Sequence, residues 1–204
     1  MQKVDSGITG LHSLQIAGVD EAGRGCLAGP VTAAAVIPGP AGVQWLDAGL
    51  DDSKVLTSAT RDRLRTRIEE QALAWCVGWA SVKEIEEHNI LQATYMAMHR
   101  AIDGLSVRPE FLLVDGNRFR PHDIPHSTEI KGDGRFLAIA AASILAKTHR
   151  DERMKALDAA HPGYDWATNK GYPTKAHRTA IIERGGTPHH RRTFRGAQGR
   201  LFPD

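Results

Sequence analysis

The chain has 204 residues, 41% of them apolar and 25% charged, with a formal net charge of +2. That is enough apolar material for one buried core, while no apolar run is long enough to span a bilayer. The charge is uneven: residues 1–130 hold 12 Lys and Arg against 17 Asp and Glu, and residues 131–204 hold 14 against 7.

A first strand is predicted at about 14–19, in the run Leu14-Gln-Ile-Ala-Gly-Val19, and it ends in Asp20-Glu-Ala-Gly-Arg-Gly25. Paired carboxylates at an apolar strand end are unfavourable unless a cation or a pairing network compensates. A divalent metal would do so, and the arginine between bare glycine amides then suggests a phosphate-bearing substrate. A solvated turn would draw on the same residue types.

A second strand follows at 31–37, then a polar stretch reaching Asp51-Asp-Ser-Lys54. Leu64, Ile68 and Ala72 mark a helix from about 58 to 72, with Ser58 as its N-cap. Residues 75–80 read as a third strand, and Leu91, Tyr95, Met98 and Ile102 lie on one face of a helix near 90–103.

Phe111-Leu-Leu-Val114 has the continuous apolar character of a strand buried on both faces, and it runs straight into Asp115-Gly-Asn117. In α/β sheets ligand sites collect at the carboxyl ends of strands. Parallel neighbouring strands would therefore bring Asp20, Glu21 and Asp115 together. A further short strand is expected in Ile130-Lys-Gly-Asp133, a third strand end that delivers a carboxylate, ahead of a long helix at about 135–158.

On that helix Ser143, Lys147 and Asp151 share a face. Ser143 and Lys147 are candidate phosphate contacts, whereas Asp151 is equally well an ordinary ion-pair partner. The turn Lys170-Gly-Tyr-Pro-Thr174 presents Tyr172, with Thr174 capping the next helix. His189-His-Arg-Arg192 reads either as a basic surface that holds a duplex or as structural packing. The acidic site beside a basic C-terminal third suits a polyanionic substrate, although an ordinary solvated surface has similar counts. Cys26 and Cys76 have no metal-ligand spacing and no secretory signal is visible, so a reduced, cytoplasmic protein is expected.

Several separated motifs, taken in order, resemble bacterial ribonuclease HII. They are Asp20-Glu-Ala-Gly-Arg-Gly25, Asp52-Ser-Lys54, Val114-Asp-Gly-Asn117, Lys131-Gly-Asp133, Ala142-Ser-Ile-Leu-Ala-Lys147, Lys170-Gly-Tyr-Pro-Thr174 and His189-His-Arg-Arg-Thr-Phe194. The resemblance runs from about Ile16 to Phe194. Val55 and Gly134 depart from the residues that relatives often carry.

The resemblance implies an α/β, ribonuclease H-like fold, a mixed five-stranded sheet flanked by helices, with the first and fourth strands parallel neighbours. Residues 1–204 would form a single catalytic domain, about 160–195 a helical C-terminal extension and 196–204 a flexible tail. The chain would be an endoribonuclease of DNA replication and repair. It would cut RNA–DNA hybrids and duplex DNA on the 5′ side of an embedded ribonucleotide, leaving 5′-phosphate and 3′-hydroxyl ends.

By the same resemblance Asp20, Glu21, Asp115 and Asp133 would be the catalytic residues and the ligands of two Mg²⁺ or Mn²⁺ ions. Gly23, Arg24 and Gly25 would hold the ribonucleotide, with Tyr172 at the RNA–DNA junction and Ser53, Lys54, Ser143 and Lys147 on phosphates. A monomer is expected. Gln198, Leu201 and Phe202 resemble the short peptide with which bacterial replication and repair proteins bind the sliding clamp.

Overall fold

The computed structural model describes residues 15–51, 53, 55–196 and 199–200. Five strands form the main sheet: β1 (Ile16–Ala22), β2 (Val31–Ile37), β3 (Ala74–Ala80), β4 (Phe111–Asp115) and β5 (His126–Glu129), in the order β3-β2-β1-β4-β5. β1 pairs antiparallel with β2 and parallel with β4, and β4 pairs parallel with β5. The sheet is therefore mixed, as expected.

The helices are α1 (Val43–Asp47), α2 (Ser58–Gln71), α3 (Val82–Asp103), α4 (Leu137–Ala160), α5 (Trp166–Asn169) and α6 (Lys175–Arg184). Alternation along β1 and β2 divides the core. Ala17, Val19, Val31, Ala33 and Ala35 pack with the α3 residues Ala97, Met98 and Ala101. Ala34 and Val36 point the other way, onto Ala140, Ala141 and Ile144 of α4 and Leu64 and Ile68 of α2. The third cluster joins Leu27 and Ala28 to Met154, Tyr164, Trp166 and Ile181, seating the C-terminal helices beneath the β1–β2 connection.

One glycine sets the distance between α4 and the sheet. A Cβ at Gly18 would lie 2.1 Å from the backbone carbonyl carbon of Ala138. Only a bare Cα lets the helix backbone come so near. Asp20, two residues on, faces the same helix.

Several boundaries differ from the sequence expectation. The cap of α2 is Thr57, whose hydroxyl accepts from the Thr60 amide at 3.2 Å, not Ser58. The helix expected at 90–103 is the second half of α3, which is interrupted at Asn89 (φ 68°, ψ 165°). The Asn89 side chain accepts from the Leu91 and Gln92 amides at 3.0 and 3.2 Å and so caps that half. β5 ends at Glu129, so Asp133 follows no strand; it lies in the 3-10 turn Gly132–Gly134. Short strands β6 (Arg195–Gly196) and β7 (Gly199–Arg200) pair with each other at the start of the expected tail. Among the described residues no helix is long and apolar enough to cross a membrane.

Candidate active site

Val19 of β1 lies opposite Val114 of β4 in the parallel register, so the next residues, Asp20 and Asp115, lie side by side. β1 continues to Ala22, beyond the predicted end at 19, so Asp20 and Glu21 are still paired with β2. Asp20 is 5% exposed and its Oδ1 accepts from the Glu21 amide at 2.6 Å. Asp115 Oδ1 accepts from the Gly132 amide at 2.7 Å. Burial, together with the negative charges of Glu21 and Asp115, pushes the Asp20 carboxyl well above the ordinary aspartate value. Burial also raises Glu21, against the pull of Arg24, whose Nη1 lies 3.1 Å from Glu21 Oε1.

These carboxylates open into a cavity of about 480 Å³ that also exposes Gly23, Arg24 and Gly25. Ser53, Ser143, Lys147, Tyr172 and Arg61 also line it. Ser143 reaches the site because α4 lies close on β1, and its hydroxyl bonds the Asp20 carboxylate. Lys147 is paired with Asp151 at 2.6 Å and stands 5.8 Å from the centre of the Tyr172 ring. Tyr172 remains 42% exposed.

Gly23 and Gly25 differ in what they leave room for. Gly23 has φ +92°, and a Cβ there would lie 1.9 Å from Arg150 Nε, so this glycine serves the packing of its own loop. A Cβ at Gly25 would meet nothing within 4 Å, which leaves space for an incoming backbone.

Asp133 is not part of the cavity wall. It is buried at 3% exposure, next to the Gly132 amide that holds Asp115. Lys54 lies outside the described residues, as do Gln198, Leu201 and Phe202. In the His189–Arg192 motif the packing alternative holds for its centre, since His190 and Arg191 are 1% and 0% exposed.

Oxygen-only carboxylate donors suit Mg²⁺ or Mn²⁺. The raised affinity of Asp20 for a proton reflects burial first and then the charges of Glu21 and Asp115, both of which a bound divalent cation would offset. Among the described residues, no three His, Cys, Asp or Glu side chains form a ready metal-ligating group. Protein donors hold the carboxylates instead: Arg24 on Glu21, the Gly132 amide on Asp115 and the Glu21 amide on Asp20. The donor set fits the cation.

Sequence reasoning passed over three side chains around this cavity, Arg61, His177 and Arg150, and left the place of a fourth, Arg191, open between surface and packing. Arg61 lines it and donates through Nη1 to the Ser53 and Leu56 carbonyls at 2.8 and 2.5 Å, bracing the segment that carries Ser53. His177 Nδ1 lies 2.9 Å from the Tyr172 carbonyl. Arg150 and Arg191 are buried behind the Gly23–Gly25 loop. Arg150 does have a sequence signal, since it falls seven residues after Ser143 and thus on the same helix face.

The profile of the family Ribonuclease HII matches residues 17–197. A ribonuclease HII from Bacteroides thetaiotaomicron is 61% identical over 179 residues, covering 87% of this chain and 88% of its own. The ribonuclease H2 structure from Pyrococcus horikoshii superposes with a TM-score of 0.73 at 26% identity, covering 88% of this chain and 93% of its own. The ribonuclease HII of the PCNA:RNase HII complex from Archaeoglobus fulgidus gives 0.77 at 25%, covering 92% and 98%. A profile spanning nearly the whole chain, joined to such identity across most of both sequences, places this protein in the ribonuclease HII family.

Proposed function

We propose that the carboxylates at the ends of β1 and β4 cut a ribonucleotide phosphodiester by water attack, assisted by two divalent cations. The activity class comes with the family: the chain is an endoribonuclease acting on RNA–DNA hybrids. The finer reading adds cleavage 5′ to a single ribonucleotide in duplex DNA. The observation that carries it is the buried meeting of Asp20, Glu21 and Asp115 beneath an open Gly23–Gly25 loop.

Asp20, Glu21, Asp115 and Asp133 would hold the ions. Two divalent cations held there would supply an activated water and neutralise charge on the attacking and leaving oxygens. Ser143 fixes the orientation of Asp20 by hydrogen bonding. The Gly132 amide fixes Asp115, which links Asp133's turn to the site. Gly23, Arg24 and Gly25 receive the ribose at the open side, where its 2′-hydroxyl distinguishes RNA from DNA. Tyr172 offers an exposed ring at the RNA–DNA junction. Ser53, Lys54, Ser143 and Lys147 serve the phosphates. Attack by water leaves a 5′-phosphate and a 3′-hydroxyl.

A second contact is read from the tail, where Gln198, Leu201 and Phe202 would enter a sliding clamp. The Archaeoglobus fulgidus ribonuclease HII in complex with PCNA supports it.

The testing experiment is cleavage of a DNA duplex containing one ribonucleotide, with Mg²⁺ and with Mn²⁺, beside an all-DNA control and an Asp115→Asn variant. One cut 5′ to the ribonucleotide, leaving 5′-phosphate and lost in the variant, is the expected result. Cleavage of long hybrids alone would remove the junction-reading role of Tyr172. A cut by the Asp115→Asn variant at the unaltered rate would remove the metal assignment.

A further inference from the structure

We infer that Arg150 is a positioning residue: one buried guanidinium joins the Gly23–Gly25 loop to the Tyr172 turn and fixes the spacing between them. The inference rests on the substrate-reading roles proposed above for these two segments.

Arg150 projects from α4 and is 1% exposed. Its three nitrogens go to three different carbonyls: Nε to Pro30 at 3.0 Å, Nη2 to Ala28 at 3.0 Å and Nη1 to Lys170 at 2.9 Å. Two of these lie just after the Gly23–Gly25 loop, and the third lies two residues before Tyr172. The guanidinium also forms the floor under Gly23, where a Cβ would come within 1.9 Å of Nε.

The contact continues in the backbone. The Leu27 amide donates to the Gly171 carbonyl at 2.8 Å. A Cβ at Gly171 would lie 2.5 Å from the Ala28 carbonyl oxygen. Arg191 extends the clamp on one side only, donating from Nε to Gly29 and from Nη1 to Arg24, both at 2.9 Å. Arg150 therefore bridges the two segments through its side chain.

The chemistry suits the task. A guanidinium presents its donors in a rigid planar fork, whereas an ammonium on a flexible stem does not reproduce that spacing. The flanking segments are loops, so the relative position of glycine loop and tyrosine ring depends on this fork together with the Leu27–Gly171 backbone bond. A displacement of about 1 Å away from the reacting atoms can lower a rate about 10²-fold.

The test compares Arg150→Lys, Tyr172→Ala and the double variant on two substrates, a duplex with one embedded ribonucleotide and a long RNA–DNA hybrid. A single-ribonucleotide site needs both readers at one place. Arg150→Lys should thus lower kcat/KM there about 10²-fold more than on the hybrid, and the double variant should show no further change in that ratio. Equal losses on both substrates, or additive losses in the double variant, would overturn the inference. Should Tyr172→Ala leave the ratio unchanged, the reading of Tyr172 fails instead.

Amide exchange in the unaltered protein keeps the question open to test even if Arg150→Lys does not fold. The Leu27 amide, bonded across the two segments, should be as protected as the Gly29 amide, which bonds the His189 carbonyl. Faster exchange at Leu27 would mean that the segments open separately, and the strut would be refuted.

Discussion

The Ser53 and Ser143 hydroxyls, 90 residues apart in sequence, lie 2.9 Å from one another at the edge of the cavity, and Ser143 also bonds Asp20. Ser143 thus stands between a candidate phosphate contact and a candidate metal ligand. A Ser143→Ala variant removes a hydrogen bond that favours the ionised form of Asp20. Its kcat/KM on a hybrid should fall about tenfold, the equivalent of one such bond, with most of the loss recovered at high Mg²⁺. Rates measured across a Mg²⁺ titration would show it; an unshifted titration curve would remove Ser143 from this role.

Asp20→Asn should separate stability from activity. The variant removes one of three carboxylates crowded into a buried site. The metal-free protein should gain about 1–2 kcal/mol, read from the urea midpoint, while hydrolysis falls about 10³-fold or more. A lowered midpoint would show that Asp20 is held by favourable contacts that outweigh the repulsion.

Gly18→Ala tests the approach of α4 to β1. The new methyl would lie 2.1 Å from the Ala138 carbonyl carbon, where only backbone movement can relieve the clash. About 3 kcal/mol of stability should be lost, as for other overpacked sites. Ser143 would shift away from Asp20 as the helix moves, so activity should fall in the surviving folded fraction. Denaturant melts paired with activity per folded molecule would distinguish the two effects.

The C-terminal histidines predict acid sensitivity. Trp166 Nε1 donates to His177 Nε2 at 2.9 Å, which leaves the His177 proton on Nδ1 toward the Tyr172 carbonyl. The Thr187 amide donates to His190 Nδ1, and the His190 proton on Nε2 faces His177 Nε2 at 3.2 Å. Burial pushes His190 down to about 4 and lowers His177 as well. With the folded value below the unfolded value of about 6.5, the unfolded chain takes up protons first as pH falls. Stability should be intact above pH about 6.5 and decline by about 3 kcal/mol toward pH 4. Melting temperatures across that range would measure it, and the decline should be shallower in His190→Gln.

The tail has its own test. A peptide of residues 195–204 should bind a bacterial sliding clamp, and replacing Leu201 and Phe202 by alanine should abolish that binding without altering hydrolysis. Calorimetry would settle the point, and an unaltered peptide that releases no heat against the clamp would end the proposal.

Much of this site was legible because strands announce their ends. β2 has the residues expected of it, 31–37, and β4 runs from Phe111 into Asp115 as its apolar run suggests. The pairing of β1 with β4 brings Asp20 beside Asp115, the convergence that parallel order implied. Asp133 was harder, because nothing in Ile130–Gly134 separates a strand end from a 3-10 turn. The break at Asn89 was hidden for a similar reason: an asparagine capping its own helix half resembles any polar residue on an exposed turn.

Arg61, Arg150 and Arg191 were illegible in another way. Their partners are backbone carbonyls, a few residues back for Arg61 and far along the chain for Arg150 and Arg191, and a carbonyl has no letter in the sequence. Two adjacent arginines after two histidines fit a basic surface as well as packing, and Arg191 is fully buried.

The Arg191 contacts have a consequence for how the enzyme is born. Its nitrogens hold the Arg24 and Gly29 carbonyls from more than 160 positions downstream. A ribosome that has completed Asp133 has made every candidate acidic residue, but the loop that would inspect the sugar still lacks its fastener. A chain that stops short of Arg191 would leave the Arg24 and Gly29 carbonyls without the donors that hold them.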